Sequence, residues 1–460
     1  MKNFFIFFIF LITINGCKME ENKSGDRLRL VVLDPGHFHA SLIQKNKLHE
    51  VDTQIYVYAP VGPEVQAYLN LVRGYNERTA DPTAWKMKVY TNADFLEQMK
   101  RDKIGDVVVL AGNNKKKTDY IYQSIDASLH VLSDKPMAIN KEGFEELRRA
   151  FELAEDKGVL LYDIMTERYN IFSILQKELV QSPMVFGALQ KGSLEEPAIL
   201  KKSVHHFYKN VSGKPLIRPN WYYDVEQEGD GIVDVTTHGI DLVQWQCFPE
   251  VVFDYKRDVE IWKATRYPTL ISKAQYQMST GDSEFADFLE KDIKQGQLAV
   301  YANGEIDYTL KGTHVKVAVE WNFQADPGNG DTHLSQIRGT QCVVAIKQGK
   351  AEDFAPTLYI EPNAGKHFSA EEKERIHRGF AAIEKLYPGI ALHDFDDGFR
   401  VAIPDRLREG HEEHFAHVAN KFFDYVKRGK LPAWEKSYML TKYYITTMAL
   451  EKATKGERVK

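Results

Sequence analysis

The sequence predicts an α/β protein built from an N-terminal doubly wound parallel sheet and a C-terminal α/β domain with a large open antiparallel sheet. Three observations support this prediction. The chain has 460 residues, which is enough for two or three domains. In its first third, short apolar runs alternate with helical patterns, as in a parallel sheet covered on both faces. Farther along, longer runs alternate polar and apolar residues, which is typical of antiparallel strands with one solvated face.

Composition restricts the class of protein further. Hydrophobic residues make up 43% of the chain and charged residues 27%, so a disordered or fibrous protein is excluded. The formal net charge of -5 leaves no basic excess, so we do not expect nucleic acid as a partner. No repeat at a fixed period is found, which argues against a solenoid or a propeller.

The first residues have the pattern of an export signal. Lys2 precedes an uncharged run, Phe4–Ile14, that is too short to span a bilayer. Ile14-Asn15-Gly16-Cys17 resembles a bacterial lipobox, which implies cleavage before Cys17 and lipid on that residue. We therefore expect a signal peptide over 1–16, a polar tether over 17–26 and an exported lipoprotein on the periplasmic side of a membrane or at the cell surface. The lipid would be its contact with the membrane.

Two further cysteines, Cys247 and Cys342, lie in the body of the chain. Export permits a disulfide between them. Two cysteines in so long a chain are more often buried and unpaired, and that is what we expect here.

Six apolar runs predict the strands of the first sheet. They are Leu28–Leu33, Thr53–Ala59, Lys86–Tyr90, Asp106–Leu110, His130–Leu132 and Val159–Tyr162. Helical patterns fall between most of them, the clearest at Phe95–Arg101, Thr118–Ser128 and Lys141–Lys157. A strand, a tight turn and a helix begin this region, as in dinucleotide-binding folds, and we expect the domain to cover 27–165.

The turn after the first strand retains one of the three glycines of a dinucleotide fingerprint. In the segment Asp34–His39, only Gly36 remains, at the position where the backbone approaches a pyrophosphate. The acidic residue expected after the second strand is missing, and Glu64 is the nearest carboxylate. His37 and His39 have the side chains of metal ligands, but no third ligand stands near them, so no metal site is predicted. We expect them to line the pocket or to fill the space of the missing glycines.

Two later motifs carry residues suited to catalysis. Lys135 follows the fifth strand, and ligands of such sheets bind at the carboxyl ends of the strands. Asp234, His238 and Asp241 are spaced to share one face of a helix. A histidine with a carboxylate one turn away is a candidate general base with its orienting partner.

Together the two motifs resemble the signature of the glucose–fructose oxidoreductase and inositol dehydrogenase (Gfo/Idh/MocA) family. Asp134 stands in place of the glutamate before Lys135-Pro136, and Thr236 in place of a glycine. The turn Gly112-Asn113-Asn114 resembles one beside the family's cofactor, and Arg168 resembles a recurring arginine after the sixth strand. The resemblance implies a Rossmann domain followed by a substrate-binding domain, here 166–460, that ends in helices.

The resemblance also implies NAD(P)-dependent oxidation or reduction at a hydroxyl of a sugar, polyol or glycoside. His238 would take the hydroxyl proton, Asp234 would orient that imidazole, and Lys135 would hold the hydroxyl and contact the cofactor. The other predicted contacts to NAD or NADP are Gly36, His37, Asn113 and Asn114. The predicted substrate contacts are Arg168, Trp221, Tyr222 and Asp241. Aromatic rings suit the apolar faces of a small carbohydrate, and a place in the core is the alternative for them.

Export and the altered turn leave other functions open. No free nicotinamide pool recycles cofactor outside the cytoplasm, so we expect tightly bound cofactor. One alternative is a glycosidase that oxidises its substrate transiently. Another is a carbohydrate-binding protein without catalysis, built on a dehydrogenase scaffold, which the missing glycines and ribose carboxylate favour. The open sheet also offers a surface for a homo-oligomer.

Overall fold

A computed structural model describes residues 27–211 and 214–457. The expected signal peptide over 1–16, the lipidation site Cys17 and the tether over 17–26 lie outside the described residues. Among the helices of the described ranges, none is both long and apolar enough to cross a membrane. Cys247 and Cys342 are both unpaired, as expected.

The first sheet has six parallel strands. They are β1 (Leu30–Leu33), β2 (Gln54–Ala59), β3 (Lys86–Thr91), β4 (Val107–Leu110), β5 (His130–Asp134) and β6 (Leu161–Ile164). Their order, β3-β2-β1-β4-β5-β6, is that of a Rossmann fold, so this part of the prediction is confirmed. Every residue of β1, β4 and β6 is buried, because helices cover both faces of the sheet.

Five helices accompany this sheet. They are α1 (His39–Leu42), α2 (Pro63–Glu77), α3 (Phe95–Asp102), α4 (Asn114–Asp126) and α5 (Lys141–Lys157). The predicted bounds of α5 are correct because both ends carry strong local signals. The Asn140 side chain accepts the N–H of Gly143 at 2.8 Å, and Gly158 ends the helix with a φ of +67°.

The second part is built on a ten-stranded sheet, with one short separate hairpin. The strands are β7 (Ile199–His206), β8 (Asn210–Val211), β9 (Lys214–Pro215), β10 (Val259–Ile271), β11 (Ile293–Lys294), β12 (Gln297–Leu310), β13 (Thr313–Asn322), β14 (Thr332–Arg338), β15 (Val343–Gln348), β16 (Thr357–Glu361), β17 (Ala391–Phe395) and β18 (Gly398–Ala402). The main order is β10-β12-β13-β7-β14-β15-β16-β18-β17, while β11 pairs with β12, and β8 with β9. The sheet is antiparallel, as predicted, except that β13 and β7 run parallel.

The remaining helices cover the second sheet and return to the first. They are α6 (Ile171–Val180), α7 (Thr236–Cys247), α8 (Tyr255–Asp258), α9 (Lys273–Thr280), α10 (Ala370–Leu386), α11 (His411–Arg428) and α12 (Ala433–Glu457). Phe415, Phe422 and Tyr443 belong to the core of the first sheet, whereas Tyr438 and Ile445 belong to that of the second. The expected boundary after residue 165 falls just beyond β6, but the C-terminal helices pack against both parts.

Candidate active site

The turn between β1 and α1 approaches the second part of the chain closely. A Cβ atom on Gly36 would lie 3.4 Å from Gly112 Cα and 3.7 Å from the Trp221 ring. The His37 N–H donates to the Ala111 carbonyl at 3.1 Å, which ties this turn to the one after β4. Gly36 therefore leaves a narrow cradle that a larger side chain would fill.

A cavity of about 630 Å³ opens above this turn, and we call it the turn cavity. Its walls include Gly36 and His37, then Pro63 and Glu64 after β2, and Trp221 from the second part. The volume is typical of a small-molecule site. In a Rossmann fold the nucleotide ribose lies beside the end of β2, so the space and the carboxylate of Glu64 fit the adenosine half of a dinucleotide.

Lys135 lies at the carboxyl end of β5 and is paired with Asp234 through its Nζ atom. Burial opposes its charge, but Asp234 and Asp134 raise the pKa of Lys135 above its ordinary value. Lys135 is therefore a protonated, buried donor. The predicted pairing of Asp234 with His238 is wrong, because α7 begins only at Thr236 and Asp234 precedes it in a turn directed at Lys135.

His238 lies on the first turn of α7. Burial and the charge of Lys135 lower the pKa of His238 to about 4, so the imidazole is neutral at pH 7. Its Nδ1 atom is buried and has no hydrogen-bond partner among the described residues. An unpartnered polar atom in such a place is costly unless a ligand or water completes it.

His238 and Lys135 share a second cavity of about 580 Å³, which we call the sheet cavity. It lies over β7, β13 and β14, and its polar walls include Glu167, Asn170, Ser203, Lys202, His205, Lys209, Asp331, His333, Gln348 and His411. Asp331 accepts from Lys209 at 2.8 Å and from the His206 ring at 2.7 Å. The wall thus offers many donors and acceptors to a polar ligand.

A smaller space of about 280 Å³, the middle cavity, lies between these two. Its walls include His37 and Trp221, which also line the turn cavity, and His39 and Lys135, which also line the sheet cavity. The three cavities therefore adjoin one another along the junction of the two parts, and we call this series of neighbouring cavities the path.

Two predicted cofactor residues are engaged with the second part. Asn113 caps α4 by accepting the Lys115 N–H at 3.0 Å, and its amide donates to Gln227 at 2.7 Å. Asn114 donates to the Glu228 carbonyl at 2.7 Å. Asn114 lines the middle cavity, but Asn113 borders none of the three cavities. These amides hold the segment before α7 against the first sheet.

Trp221 and Tyr222 do not share a cavity with His238. Both line the turn and middle cavities, and neither lines the sheet cavity. The Arg218 guanidinium stacks over the Tyr222 ring, 4.2 Å from its centroid. The two aromatic residues share the turn cavity with Gly36 and the middle cavity with Lys135, and their contact with substrate stays a prediction.

The predicted substrate contacts Arg168 and Asp241 face away from the cavities. Arg168 forms a bidentate pair with Asp241 at 2.6 Å and donates to Glu435 at 2.8 Å. Asp241 also accepts from Lys442 at 2.6 Å, and the Asp241 side chain is 1% exposed. Lys442 also pairs with Asp163 of β6 at 2.7 Å, so this cluster joins the two parts of the chain. Because every charge in it is buried and paired, substrate contact is the wrong role for Arg168 and Asp241.

Several residues of the site carry no strong sequence signal. Lys117 is buried and bonded to Asn114 and to the Lys135 carbonyl, although the run Lys115–Lys117 reads as a solvated helix start. A lysine near a helix N-terminus is unfavourable, and this position was the one sequence feature that could have indicated a special role for Lys117. Glu228 and Arg218 belong to loops, where no periodicity points to them.

Two family matches cover most of the chain. Residues 60–163 match the Gfo/Idh/MocA family described as "Oxidoreductase family, NAD-binding Rossmann fold". Residues 175–454, more than half of the chain, match the family described as "Putative oxidoreductase C terminal domain". The first match begins after the altered turn at 34–39.

Solved structures extend the likeness over nearly the whole chain. A "putative oxidoreductase" from Parabacteroides merdae is 47% identical, with a TM-score of 0.92 over 94% of this chain and 98% of that one. A levoglucosan dehydrogenase, crystallised with NADH and levoglucosan, is 14% identical with a TM-score of 0.58 over 93% of this chain and 97% of that one. At that identity the second likeness shows the fold alone.

Curated relatives match a shorter stretch. Human biliverdin reductase A is 34% identical over 94 residues, which is 20% of this chain and 31% of that protein. The mouse enzyme is 30% identical over 129 residues, or 28% of this chain and 41% of that protein. The chain thus matches less than half the length of these relatives. With the two family matches, the Parabacteroides likeness and the Rossmann strand order, the chain belongs to the Gfo/Idh/MocA family of NAD(P)-dependent oxidoreductases.

Proposed function

We propose that this protein oxidises a hydroxyl of a sugar, polyol or glycoside, or reduces the corresponding carbonyl, with tightly bound NAD or NADP. The observation that carries the proposal is that Lys135 and His238 both line the sheet cavity. One is a protonated donor and the other a neutral imidazole. They lie where a path from the nucleotide side opens onto a polar wall.

The nucleotide half of the path would hold the cofactor. Gly36 would let the backbone approach the pyrophosphate, which a side chain would obstruct. Glu64 would accept from the ribose hydroxyls, and Trp221 would close the space from the other side. When bound, the nicotinamide supplies or accepts the hydride.

Lys135 would act on the substrate oxygen. Its ammonium would donate to the reacting hydroxyl and stabilise the negative charge that develops on that oxygen. Asp234 keeps the ammonium charged and fixes its position. A carbonyl formed by oxidation would remain hydrogen-bonded to the same group.

His238 would accept the hydroxyl proton. A pKa of about 4 leaves its ring free to take a proton at pH 7, although it makes the base a weak one. The positive charge of Lys135 assists by favouring the alkoxide. In the reverse direction, the imidazolium returns the proton to the carbonyl oxygen.

The character of the sheet cavity supports a carbohydrate substrate. Its wall offers carboxylate, imidazole, ammonium and amide groups to a ligand with many hydroxyls. An apolar substrate would displace water from these groups without replacing its hydrogen bonds, at a cost of about 1–3 kcal/mol for each buried group left without a partner.

The test combines purified protein with NAD or NADP and a panel of free sugars, polyols and methyl glycosides. Reduced-nicotinamide absorbance and product analysis are followed together. We expect absorbance to rise with a subset of polyhydroxy substrates and no change with simple aliphatic alcohols. A folded protein that binds nucleotide but reacts with aliphatic alcohols alone would contradict the carbohydrate assignment.

We also propose that Cys17 anchors the mature chain to a membrane through lipid. The lipobox resemblance at Ile14–Cys17 supports this. Expressed in a Gram-negative host, Cys17→Ser should leave the membrane fraction and lose its acyl mass. Retention in the membrane with the mass unchanged from wild type would contradict the proposal.

A further inference from the structure

We propose that His37, His39 and Asp134 form a binding site for one divalent transition-metal ion. Across the described residues, 27–211 and 214–457, these are the one group of three His, Cys, Asp or Glu side chains whose candidate ligand atoms lie close enough to hold an ion. The three atoms lie within 4.8 Å of one another. The three ligands are not the residues of the proposed reaction, although they border the middle cavity together with Lys135 and Asp234. The proposal does not depend on whether that reaction is correct.

The distances suit a common ion. His39 Nδ1 lies 2.9 Å from Asp134 Oδ2, and His37 Nδ1 lies 4.0 Å from the same oxygen. Ligand atoms about 2.0–2.2 Å from a zinc-like ion lie roughly 3–4 Å from each other, so small side-chain adjustments would seat the ion. The two imidazole rings already meet edge to face, with centroids 4.1 Å apart.

Metal binding requires neutral imidazole and ionised carboxylate. An ion would take the place of the hydrogen bond that now joins His39 Nδ1 to Asp134 Oδ2.

The backbone fixes the three ligands from two directions. His37 and His39 flank Phe38 in the turn after β1, and Asp134 ends β5, two strands away in the sheet. The Lys135 N–H donates to Asp134 Oδ1 at 2.9 Å, which leaves Oδ2 directed at the histidines. A carboxylate oriented by such a bond is typical of metal sites.

The types of ligand atom in His37, His39 and Asp134 indicate which ions would bind. Two imidazole nitrogens and one carboxylate oxygen favour zinc, cobalt, nickel or iron over magnesium and calcium, which prefer oxygen ligands. Lys135 and Lys117 oppose a cation here, but Lys135 is paired with Asp234. All three ligands border the middle cavity, so the remaining coordination positions face solvent or a bound ligand.

The experiment uses Co²⁺ as the probe, because its visible ligand-field absorption reports imidazole coordination without any turnover. Protein freed of metal by chelation is titrated with Co²⁺, and Zn²⁺ is then added as competitor. We expect about one Co²⁺ per chain, displaced by Zn²⁺ and unaffected by excess Mg²⁺. Loss of one ligand in His39→Ala should weaken binding by roughly 10- to 100-fold or more.

Two further variants control for nonspecific binding of Co²⁺ to histidine and for instability of His39→Ala. His49→Ala removes an exposed histidine of the same domain and should bind Co²⁺ as wild type does. Asp134→Asn keeps the size of the side chain and should weaken binding even if His39→Ala is unstable. Wild-type protein that binds no stoichiometric Co²⁺, or variants His39→Ala and Asp134→Asn with wild-type affinity, would overturn the proposal.

Discussion

Two groups of buried charges lie between the same two parts of this molecule, and they differ in one respect. In the ion cluster of Arg168, Asp241, Glu435, Lys442 and Asp163, every charge meets opposite charges, and Lys442 lies between two aspartates at 2.6 and 2.7 Å. In the pair of Lys135 and Asp234, both residues border the middle cavity, and Lys135 also borders the sheet cavity, where the His238 ring has an unpartnered nitrogen. Residue types alone do not separate structure from function here, whereas access to a cavity does.

The residues of a single sequence motif are divided between the cavities and the ion cluster. Asp234, His238 and Asp241 are spaced as if they shared one helix face. Because α7 begins at Thr236, Asp234 turns toward Lys135, His238 faces the sheet cavity, and Asp241 enters the ion cluster. One motif therefore serves two neighbouring but separate tasks.

Breaking the ion cluster should have the largest effect on stability. Asp241→Asn would leave Arg168 and Lys442 buried with one fewer counter-charge, so we expect a loss of about 3–5 kcal/mol in the free energy of unfolding. Urea denaturation would measure it. Asp156→Asn, at an exposed position of α5, is the control and should change stability by less than about 0.5 kcal/mol. A loss below about 1 kcal/mol for Asp241→Asn would mean that the cluster is not a structural unit.

Replacing His238 should affect turnover rather than stability. His238→Ala removes the proposed base and should lower kcat by roughly 10²–10⁴. Because its Nδ1 makes no hydrogen bond to a described residue, its loss leaves no partner unsatisfied, and the melting temperature should change far less than in Asp241→Asn. Steady-state kinetics on a confirmed substrate, with calorimetry, separate the two readouts. Unaltered turnover would remove His238 from the mechanism.

A subtler test concerns the pairing of Lys135. Asp234 helps to raise the pKa of Lys135, so Asp234→Asn should lower that pKa. The protonated donor would then be lost at a lower pH, and the alkaline limb of the kcat profile should move toward neutrality. His205→Gln, farther along the sheet cavity, should leave that limb in place. An unshifted limb in Asp234→Asn would show that another group controls it.

Much of the fold could be predicted because its signals are local. All six strands of the first sheet, and the bounds of α5, follow from apolar runs, caps and helical periodicity. β14 and β17 have weak local signals, because most of their residues are polar or incompletely buried. Pairing with β7 and β15 holds β14, and pairing with β18 holds β17, so their partners rather than their composition make them strands.

The site was predictable only where a motif marked it. Gly36, Lys135 and His238 do border the cavities, whereas Arg168 and Asp241 could not be told from site residues by type or spacing. The contact of His39 with Asp134 joins residues 95 positions apart, and only the strand order brings them together. Contacts between residues so far apart in the sequence depend on the order of the strands in the sheet, so no local sequence pattern predicts them.

The central claim is that a nicotinamide dinucleotide lies along the path that begins at Gly36. Calorimetric titration with oxidised and reduced NAD and NADP tests it most directly, with Gly36→Ala as the matched variant. A methyl group there meets its neighbours at 3.4–3.7 Å, which is ordinary contact, so the variant should fold while its cradle narrows. The account predicts that chelator-treated wild type, stripped of nucleotide, binds one of these dinucleotides and that Gly36→Ala binds it more weakly at unchanged melting temperature. Stripped, folded wild type that binds none of the four, or Gly36→Ala with wild-type affinity, would contradict it.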